Sequence, residues 1–421
     1  EAVLGLAACG SEKALCLATA RAGMLRRREL EVLAERWTRN SGTNGGEKVQ
    51  SEIQTGAARS FLTAVLEEGQ GARTRLMAAR LLEKAGGRPD SEALLAVATM
   101  EVLSPEKKQR ETERKETRGN EVRPEGVPPG SGPAHSGEMP PRSERGPRDE
   151  KEEKKKVPRG NVKLEALELL ARWPGAGVVT GVRKIVEGPD SLEVRLAAVR
   201  VLGAVGDPDS REYLRLIAGT AAESSASPDE MTERLRLRLA AMRQLASLGD
   251  ESAMAMMESF WFEYPGDVSR IQTAEEGEPA EKFRERLEDM AHKGVLNAIV
   301  DIKAGHSLRQ IAPGNAKPER LINACITEAE RGARRIVNVE EGEVADRVSA
   351  TTALAVRALG RVGKLPERGW QLFRLLQRQK TRLPSTVNRA MVRAIADLSN
   401  IDMLAQILPQ SQQKVSEVTA R

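Results

Sequence analysis

The side chains most often used in catalysis or metal binding are few in this sequence and widely separated. The 421 residues include three cysteines and three histidines, which are Cys9, Cys16, Cys325, His135, His292 and His306. None belongs to a Cys-x-x-Cys pair, a His-Glu-x-x-His motif or a carboxylate-rich calcium loop. Phosphate-binding loops and Gly-x-Ser-x-Gly nucleophile motifs are also missing from the sequence. We therefore expect no catalytic residue, no metal ligand and no cofactor.

The secondary-structure elements of this chain are predicted to be helices. Apolar residues make up 40% of the chain but aromatic residues only 3%, which is too few for β-sandwiches and barrels. Ala, Leu, Arg and Glu dominate instead, and these residues favour helix. No apolar run reaches the ~18 residues that a membrane span needs. The composition thus predicts an all-α protein without a transmembrane segment.

A short sequence pattern recurs along the chain. Residues 194–207 (VRLAAVRVLGAVGD) return 43 positions later as residues 237–250 (LRLAAMRQLASLGD). Further copies occupy residues 162–175, 76–86, 355–363 and 391–399. A helical pair cannot cover its own apolar face, so repeated pairs are expected to stack on their neighbours.

The copy at 194–207 predicts a helix, a tight turn and a second helix. An apolar stripe steps along one face of the first helix through Leu196, Val199, Leu202 and Val205. Gly206 is expected to end that helix in a left-handed conformation. The following residues 207–210 offer a cap for a partner helix that begins before Tyr213 and Leu214.

These segments resemble HEAT repeats of the bacterial type that also occurs in phycobilisome lyases. The resemblance is close at residues 191–219 and 234–258, and weaker at 161–186. It implies an α-solenoid of stacked antiparallel helix pairs, an architecture that serves mainly as a scaffold or binding surface. Lyase-like action on a bilin and alkylpurine DNA glycosylase activity are implied by relatives of this architecture. Deoxyhypusine hydroxylase is excluded, because the sequence contains no His-Glu dipeptide.

Composition divides the chain into five predicted segments. Residues 104–160 hold 9 of the 21 prolines and 27 charged side chains, which predicts a disordered linker or a long insertion. Helical repeats are expected on both sides of this segment, at 1–103 and 161–261. Residues 262–346 fit the repeat poorly and predict an irregular helical segment, followed by basic repeats at 347–421. The sequence has no initiator methionine, so we expect the first repeat to be truncated.

Basic residues concentrate in the last predicted segment. Residues 347–421 contain 13 Lys and Arg against 4 Asp and Glu, whereas residues 262–346 have a net charge of −5. The basic side chains that are candidates for contact with an acidic partner, phosphate groups or anionic lipid are Arg374, Arg378, Arg382, Arg389 and Arg393. A solvated face that keeps the protein soluble is the favoured interpretation.

One arginine position recurs in five copies of the pattern, at Arg80, Arg200, Arg243, Arg357 and Arg393. Such a series could form one inner surface, or its members could pair with acidic residues of adjacent repeats. The second interpretation is favoured, because each repeat of a solenoid must contact the next.

Aromatic residues cluster at the end of the second repeat. Trp261, Phe262 and Tyr264 follow Phe260 and a methionine-rich run. Aromatic and methionine side chains are typical of protein-binding hot spots, so these three residues are candidates for partner contact. Burial at the junction with the irregular segment is the favoured interpretation, because Trp and Phe at a helix end normally pack.

The sequence as a whole favours a non-catalytic scaffold or adaptor that binds a protein partner. A nucleic-acid-binding protein that uses the basic C-terminal repeats is the alternative, although few aromatic residues accompany that charge. A cytoplasmic location is favoured over a periplasmic or lipid-anchored one. Residues 6–10 (LAACG) resemble a lipoprotein processing box, but no basic segment precedes them.

Overall fold

The computed structural model describes residue 30 and residues 56–69, 71–84, 86–100, 161–220, 227–269, 279–314, 318–338, 343–379 and 383–399. Within these ranges the chain forms helices joined by short turns, and no strand occurs there. The prediction of an all-α fold is therefore confirmed for the described residues. Several predictions lie outside the described residues, namely those for Cys9, Cys16, His135, Arg382 and segment 104–160.

Three helices lie between residues 56 and 100, and thirteen follow residue 160 in the described part. The first three are α1 (Gly56–Glu68), α2 (Ala72–Lys84) and α3 (Ser91–Thr99). The others are α4 (Val162–Arg172), α5 (Val179–Glu187), α6 (Leu192–Val205), α7 (Pro208–Gly219), α8 (Pro228–Ser247), α9 (Ser252–Glu258), α10 (Tyr264–Val268), α11 (Ala280–Val300), α12 (Leu308–Ile311), α13 (Pro318–Asn338), α14 (Glu343–Gly360), α15 (Glu367–Arg378) and α16 (Ser385–Asp397). A 3₁₀ turn at Ala176–Val178 precedes α5, and a π-helical turn at Ser259–Glu263 joins α9 to α10.

Copies of the repeated pattern end in a left-handed backbone conformation. At the end of α6, Gly206 has φ 62° and its N–H donates to the carbonyl of Leu202 at 3.0 Å, as the sequence predicts. Positive φ also occurs at the equivalent position of four other copies, namely at Gly86, Gly249, Gly363 and Ser399. The copy at 162–175 differs, because Gly175 has φ −135°. A shared turn geometry thus underlies five of the six copies.

The turn after α6 starts the next helix as its sequence predicts. The Asp207 carboxylate accepts a hydrogen bond of 2.7 Å from the Ser210 N–H, and Pro208 occupies the first turn of α7, where no N–H is required. Tyr213 and Leu214 then turn inward and are buried. The helix–turn–helix prediction for this unit is confirmed.

Alternate helices pack against each other along the chain. Helix α4 contacts α6, which contacts α8, and the same relation continues from α8 to α11, from α11 to α14 and from α14 to α16. Between them, α5 packs against α6, α7 against α8, and α13 against α14. Helix α11, which lies in the segment predicted to be irregular, therefore continues the row that the regular repeats begin.

This packing buries α6 on more than one side. Val199 and Leu202 of the predicted stripe are fully buried, whereas Leu196 and Val205 at its ends are half-buried. The small side chains of Ala197 and Ala198 are buried as well. The apolar surface of α6 is broader than a single stripe, because α4 and α8 both pack against it.

The helices on the two sides of residues 101–160 pack directly against each other. Helix α4 contacts both α2 and α3. At the edge of this contact the Arg172 guanidinium is 2.7 Å from the Glu83 carboxylate, and Arg80 forms an ion pair with Glu165. Leu94 contributes a fully buried side chain to the common core. The helices before residue 101 and after residue 160 thus contribute to one packed core.

Candidate functional site

Three arginines at the same position of the repeated pattern hold consecutive helices together. Each donates its Nε–H to a backbone carbonyl at the end of the preceding helix: Arg75 to Gly69 at 2.9 Å, Arg195 to Val186 at 2.8 Å, and Arg238 to Ala218 at 3.1 Å. Carbonyls at a helix C-terminus lack intrahelical partners and carry the negative end of the helix dipole. These three residues, which we call the capping arginines, therefore stabilise each helix end from the following helix.

A half-open pocket of about 200 Å³ lies between two of the capping arginines. Its apolar part comes from the end of α5, from α7, α8 and α10, and consists of Val186, Ile217, Met231, Leu235, Leu237 and Tyr264. Its polar part consists of Glu187, Arg195, Tyr213, Thr220, Arg234 and Arg238. Among the described residues, the pocket lining thus includes three arginines and one carboxylate around an apolar centre.

A partly buried hydrogen bond fixes the acidic side of this pocket. The Tyr213 hydroxyl donates to the Glu187 carboxylate at 2.8 Å, and the Arg183 guanidinium stacks on the Tyr213 ring at 4.8 Å. Burial raises the pKa of Tyr213 well above its usual range, and the hydrogen bond to Glu187 raises it further. The Tyr213 hydroxyl therefore stays protonated, and Glu187 is held against the pocket wall as its acceptor.

On the basic side of the pocket, Arg238 packs against the aromatic cluster. The Arg238 guanidinium lies 4.6 Å from the centre of the Phe260 ring, and that ring is 5.8 Å from the ring of Tyr264. Phe260 belongs to the π-helical turn, whose wider backbone spacing displaces side chains from their α-helical positions. The cluster thereby positions Arg238 beside the pocket.

The aromatic residues predicted as partner contacts are mostly interior. Trp261 is 9% and Tyr264 is 6% exposed, and the Trp261 ring stacks on His292 at 4.4 Å. Phe262 is half-buried beneath Arg320, whose guanidinium is 3.9 Å from the ring centre. Burial at the junction is the interpretation that fits these positions, because a buried ring offers no surface to a partner. Only Tyr264 lines the pocket.

The basic residues predicted as partner contacts are at the surface. Arg374 and Arg378 are exposed on α15, and Arg389 and Arg393 are exposed on α16. A spacing of four residues places each pair on one helix face. Arg374 is 3.2 Å from Glu367, whereas none of the described residues forms an ion pair with Arg378, Arg389 or Arg393. Leu375 on the same helix is 40% exposed.

The recurring arginine series that includes Arg80 and Arg243 forms ion pairs between repeats at two of its positions. Arg80 pairs with Glu165 of α4, and Arg243 binds Asp301 after α11, with a distance of 2.8 Å from its Nε. The prediction of pairing between adjacent repeats is confirmed at these two positions. Arg200, Arg357 and Arg393 are exposed, and none of the described residues forms an ion pair with them.

The described part of the chain brings together no constellation of catalytic side chains. Burial raises the pKa of Cys325 to about 12, so its thiol is protonated and unreactive at neutral pH. No group of three His, Cys, Asp or Glu side chains within the described ranges could hold a metal ion. The described lining of the pocket includes no cysteine, serine or histidine.

The chain matches no protein-family model, no curated protein and no solved structure. Among the helices that the structure describes, none is both long and apolar enough to cross a membrane.

Sequence reasoning missed the pocket, although a signal for it was present. Arg195 is the second residue of the copy at 194–207, and Arg238 is the second residue of the copy at 237–250. Arg234 lies four residues before Arg238 and so shares its helix face. The repeat alignment could have identified the arginines. It could not have located Glu187 and Tyr213, because these reach the pocket through the packing of α5 and α7.

Proposed function

We propose that this chain is a non-catalytic α-solenoid scaffold of HEAT-like helix pairs that binds an acidic protein partner. The observation that carries the proposal is the continuous row in which α4, α6, α8, α11, α14 and α16 each pack against the next. Repeated helix pairs in such an order create an extended surface that a partner can follow.

Two features support binding as the activity of this surface. Helix ends and helix pairs are fixed to each other by the capping arginines and by ion pairs such as Arg243–Asp301, so the surface is held in one arrangement before a partner arrives. Binding to a preorganised surface loses less conformational entropy. The exposed arginines of α15 and α16 add positive charge that attracts an acidic protein and accelerates its association.

The proposal is tested by capture of the tagged full chain from its native lysate, with and without nuclease. A scaffold recovers a discrete protein at fixed stoichiometry whether or not nuclease is present. In a variant with Glu at Arg374, Arg378, Arg389 and Arg393, recovery of that protein is expected to fall at least about tenfold.

A matched variant controls for the change in net charge. It carries the same number of Arg→Glu changes at exposed positions on other helices, namely Arg200, Arg236, Arg334 and Arg335. Recovery by this variant is expected to stay close to that of the unmodified chain. Loss of all recovery after nuclease treatment would favour a nucleic-acid-binding protein and would contradict the scaffold proposal, as would equal loss in the two variants.

A further inference from the structure

We propose that three exposed arginines on α14 and α16 bind a phosphate group that is carried by a phosphorylated segment of the protein partner. These residues, which we call the arginine cluster, are Arg357 on α14 and Arg389 and Arg393 on α16. The inference rests on the proposed scaffold function and narrows its acidic partner to one chemical class.

Helices α14 and α16 approach each other closely. They pack against each other, and a Cβ atom at Gly360 would lie 2.6 Å from the Ala394 Cα. No side chain therefore separates the two backbones at this point. Packed helices have interaxial distances of about 8–10 Å, and contact through a glycine places this pair at the short end of that range. Long side chains on the two helices can thus reach one common ligand.

An ion pair between the two helices marks the face that the arginine cluster shares. Arg361, one residue after α14, is 4.0 Å from Asp397 at the end of α16. Arg357 is four residues before Arg361 and so lies on the same side of α14. Arg393 is four residues before Asp397 and lies on the same side of α16. Arg389 precedes Arg393 by one further turn and extends the cluster along α16.

The three side chains of the cluster are available to a ligand. All of them are exposed, and none of the described residues forms an ion pair with them. The Arg389 Nε–H donates to the Ser385 carbonyl at 3.4 Å, which leaves the other N–H groups of that guanidinium for a ligand. The nearby carboxylate of Asp397 is paired with Arg361. Because like charges at this separation repel one another, an anion between them stabilises the arrangement.

The repeated pattern provides such a pair of arginines at one place in the described part of the chain. Arg357 and Arg393 are members of the recurring series on two helices in contact, and both are exposed without an ion pair. Arg200 on α6 is also exposed, but the series member on the adjacent helix α8 is Arg243, which binds Asp301. A ligand at α6 would therefore meet one available guanidinium instead of two.

A phosphate monoester matches the arginine cluster better than a carboxylate does. It carries a charge of about −1.5 to −2 at neutral pH and has three strong acceptor oxygens. A guanidinium group can donate to two of these oxygens at once. A carboxylate has two oxygens and a single charge, which one arginine already satisfies. Arginine clusters are accordingly a recurring means of recognising phosphorylated segments.

The small extent of the cluster favours one phosphate group over the backbone of a nucleic acid. Nucleic acids present a regular line of phosphates and bind to several basic residues along it. Here the charge is interrupted on both sides. Arg361 is paired with Asp397 at the end of the two helices, and Arg243 is paired with Asp301 along the row. A single phosphorylated side chain fits such a local charge.

The test is fluorescence anisotropy with three labelled pools of nonapeptides. Their central residue is phosphoserine, serine or aspartate, and their other positions are randomised. Each pool is titrated with the full chain at about physiological ionic strength. We expect the phosphoserine pool to bind at least about tenfold more tightly than the serine pool. The aspartate pool is expected to bind less tightly than the phosphoserine pool, because aspartate has one charge and two oxygens.

Two variants of the cluster are compared with a matched control. Arg357→Gln and Arg393→Gln each remove one guanidinium group, and Arg200→Gln makes the same change at the equivalent exposed position of α6. We expect the two cluster variants to bind the phosphoserine pool at least about tenfold more weakly than the unmodified chain does. The control is expected to change this affinity less than about twofold.

Inorganic phosphate provides a second measurement that does not depend on a peptide. Without phosphate, Arg357→Gln and Arg393→Gln are expected to melt at the temperature of the unmodified chain or above it, because repulsion between neighbouring charges is reduced. Phosphate should raise the melting temperature of the unmodified chain and of Arg200→Gln, relative to chloride at equal ionic strength. It should not raise that of the two cluster variants. A lower melting temperature of these variants in both buffers would indicate a structural role and contradict the assignment.

Other results would overturn the assignment as well. They are equal binding of the phosphoserine and serine pools, and equal losses in Arg200→Gln and Arg357→Gln. Tighter binding after Asp402→Asn or Glu417→Gln, at the two acidic residues that follow α16 in the sequence, would show that a carboxylate of the chain competes for the cluster. A labelled oligonucleotide or anionic phospholipid vesicles that bound more tightly than the phosphoserine pool, and lost binding in Arg357→Gln, would assign the cluster to those ligands instead.

Capture from lysate distinguishes failure of this assignment from failure of the scaffold proposal. If Arg357→Gln recovers a nuclease-resistant partner as well as the unmodified chain does, or if phosphatase treatment of the lysate leaves recovery unchanged, the phosphate assignment fails while the scaffold proposal stands. If the unmodified chain captures no such partner, the scaffold proposal fails.

Discussion

Ser399 has the left-handed backbone conformation that glycine has at the equivalent position of other copies of the repeat. Its φ is 55°, and it alone among the described non-glycine residues has a positive φ. The left-handed region costs an ordinary L-residue roughly 1–2 kcal/mol. Glycine removes that cost but loses more backbone entropy on folding, by about 0.5–1 kcal/mol. We expect Ser399→Gly to raise the free energy of unfolding by about 0.5–1 kcal/mol, as measured by urea denaturation.

A control for this substitution lies at the other end of the same helix. Ser385 is the first residue of α16 and has an ordinary helical backbone, so Ser385→Gly is expected to be neutral or destabilising by up to about 1 kcal/mol. If Ser399→Gly lowered stability as Ser385→Gly does, the argument from strain at Ser399 would be refuted.

The buried carboxylate of Asp250 makes stability depend on pH. Its side chain is 3% exposed and accepts hydrogen bonds from Arg215, at 2.7 Å, and from the Ser252 hydroxyl. Burial alone would raise the pKa of Asp250, but the hydrogen bonds from Arg215 and Ser252 outweigh it and hold the pKa below its ordinary value. A carboxyl group with a lowered folded-state pKa binds protons more tightly when the chain is unfolded.

The contribution of Asp250 is therefore fully present above the unfolded pKa of about 3.9, and it is lost as the pH falls through the folded-state pKa. We expect Asp250→Asn to lower the free energy of unfolding by about 2 kcal/mol near neutral pH. The difference from the unmodified chain should shrink between about pH 5 and pH 2. Urea titrations across this range measure it, with Asp229→Asn, at an exposed position in the first turn of α8, as the control. A difference that did not change with pH would contradict the proposed ionisation.

At the scale of elements, the capping arginines explain how one helix fixes the end of the previous one. Arg195 is a half-buried residue on α6, and it binds the C-terminal carbonyl of Val186 on α5. Methionine keeps most of the apolar stem but cannot donate a hydrogen bond. We expect Arg195→Met to lower the free energy of unfolding by about 1–2 kcal/mol, measured by thermal or urea denaturation.

Arg200 on the same helix provides the matched control. It is exposed, so Arg200→Met is expected to change stability by less than about 0.5 kcal/mol. Similar losses in the two variants would show that the effect comes from the loss of charge on α6 rather than from capping.

The helices and their turns were predictable because their signals are local. Gly206 and Asp207 determine the end of one helix and the start of the next through their own backbone and side chain, and the structure places both as the sequence predicts. The burial of Trp261 was only one of two interpretations of the sequence, because aromatic residues are common both in protein cores and at protein interfaces. The pocket depends on long-range packing: Glu187 and Tyr213 meet only once α5 and α7 are in place.

At the scale of the whole molecule, the packing of α4 against α2 and α3 determines whether the two parts of the protein stay associated when the chain is cut within residues 101–160. Leu94 on one side and Leu167 and Leu170 on the other are fully buried in one core. The Arg172–Glu83 ion pair spans the same contact, although ion pairs this exposed add little energy. Association across this contact therefore depends on apolar burial, which is insensitive to salt.

A protease site inserted after Gly130, within the Pro-rich and charged segment, tests this organisation. After cleavage we expect the two fragments to co-elute in size-exclusion chromatography at low and high salt, because the buried core holds them together without the connection. The melting temperature of the cleaved protein should become dependent on protein concentration, since unfolding now also separates two chains. Replacement of Leu94 by Asp should abolish co-elution by placing a charge in the shared core. Fragments that separated without this substitution would instead show that residues before 101 and after 160 form independent domains.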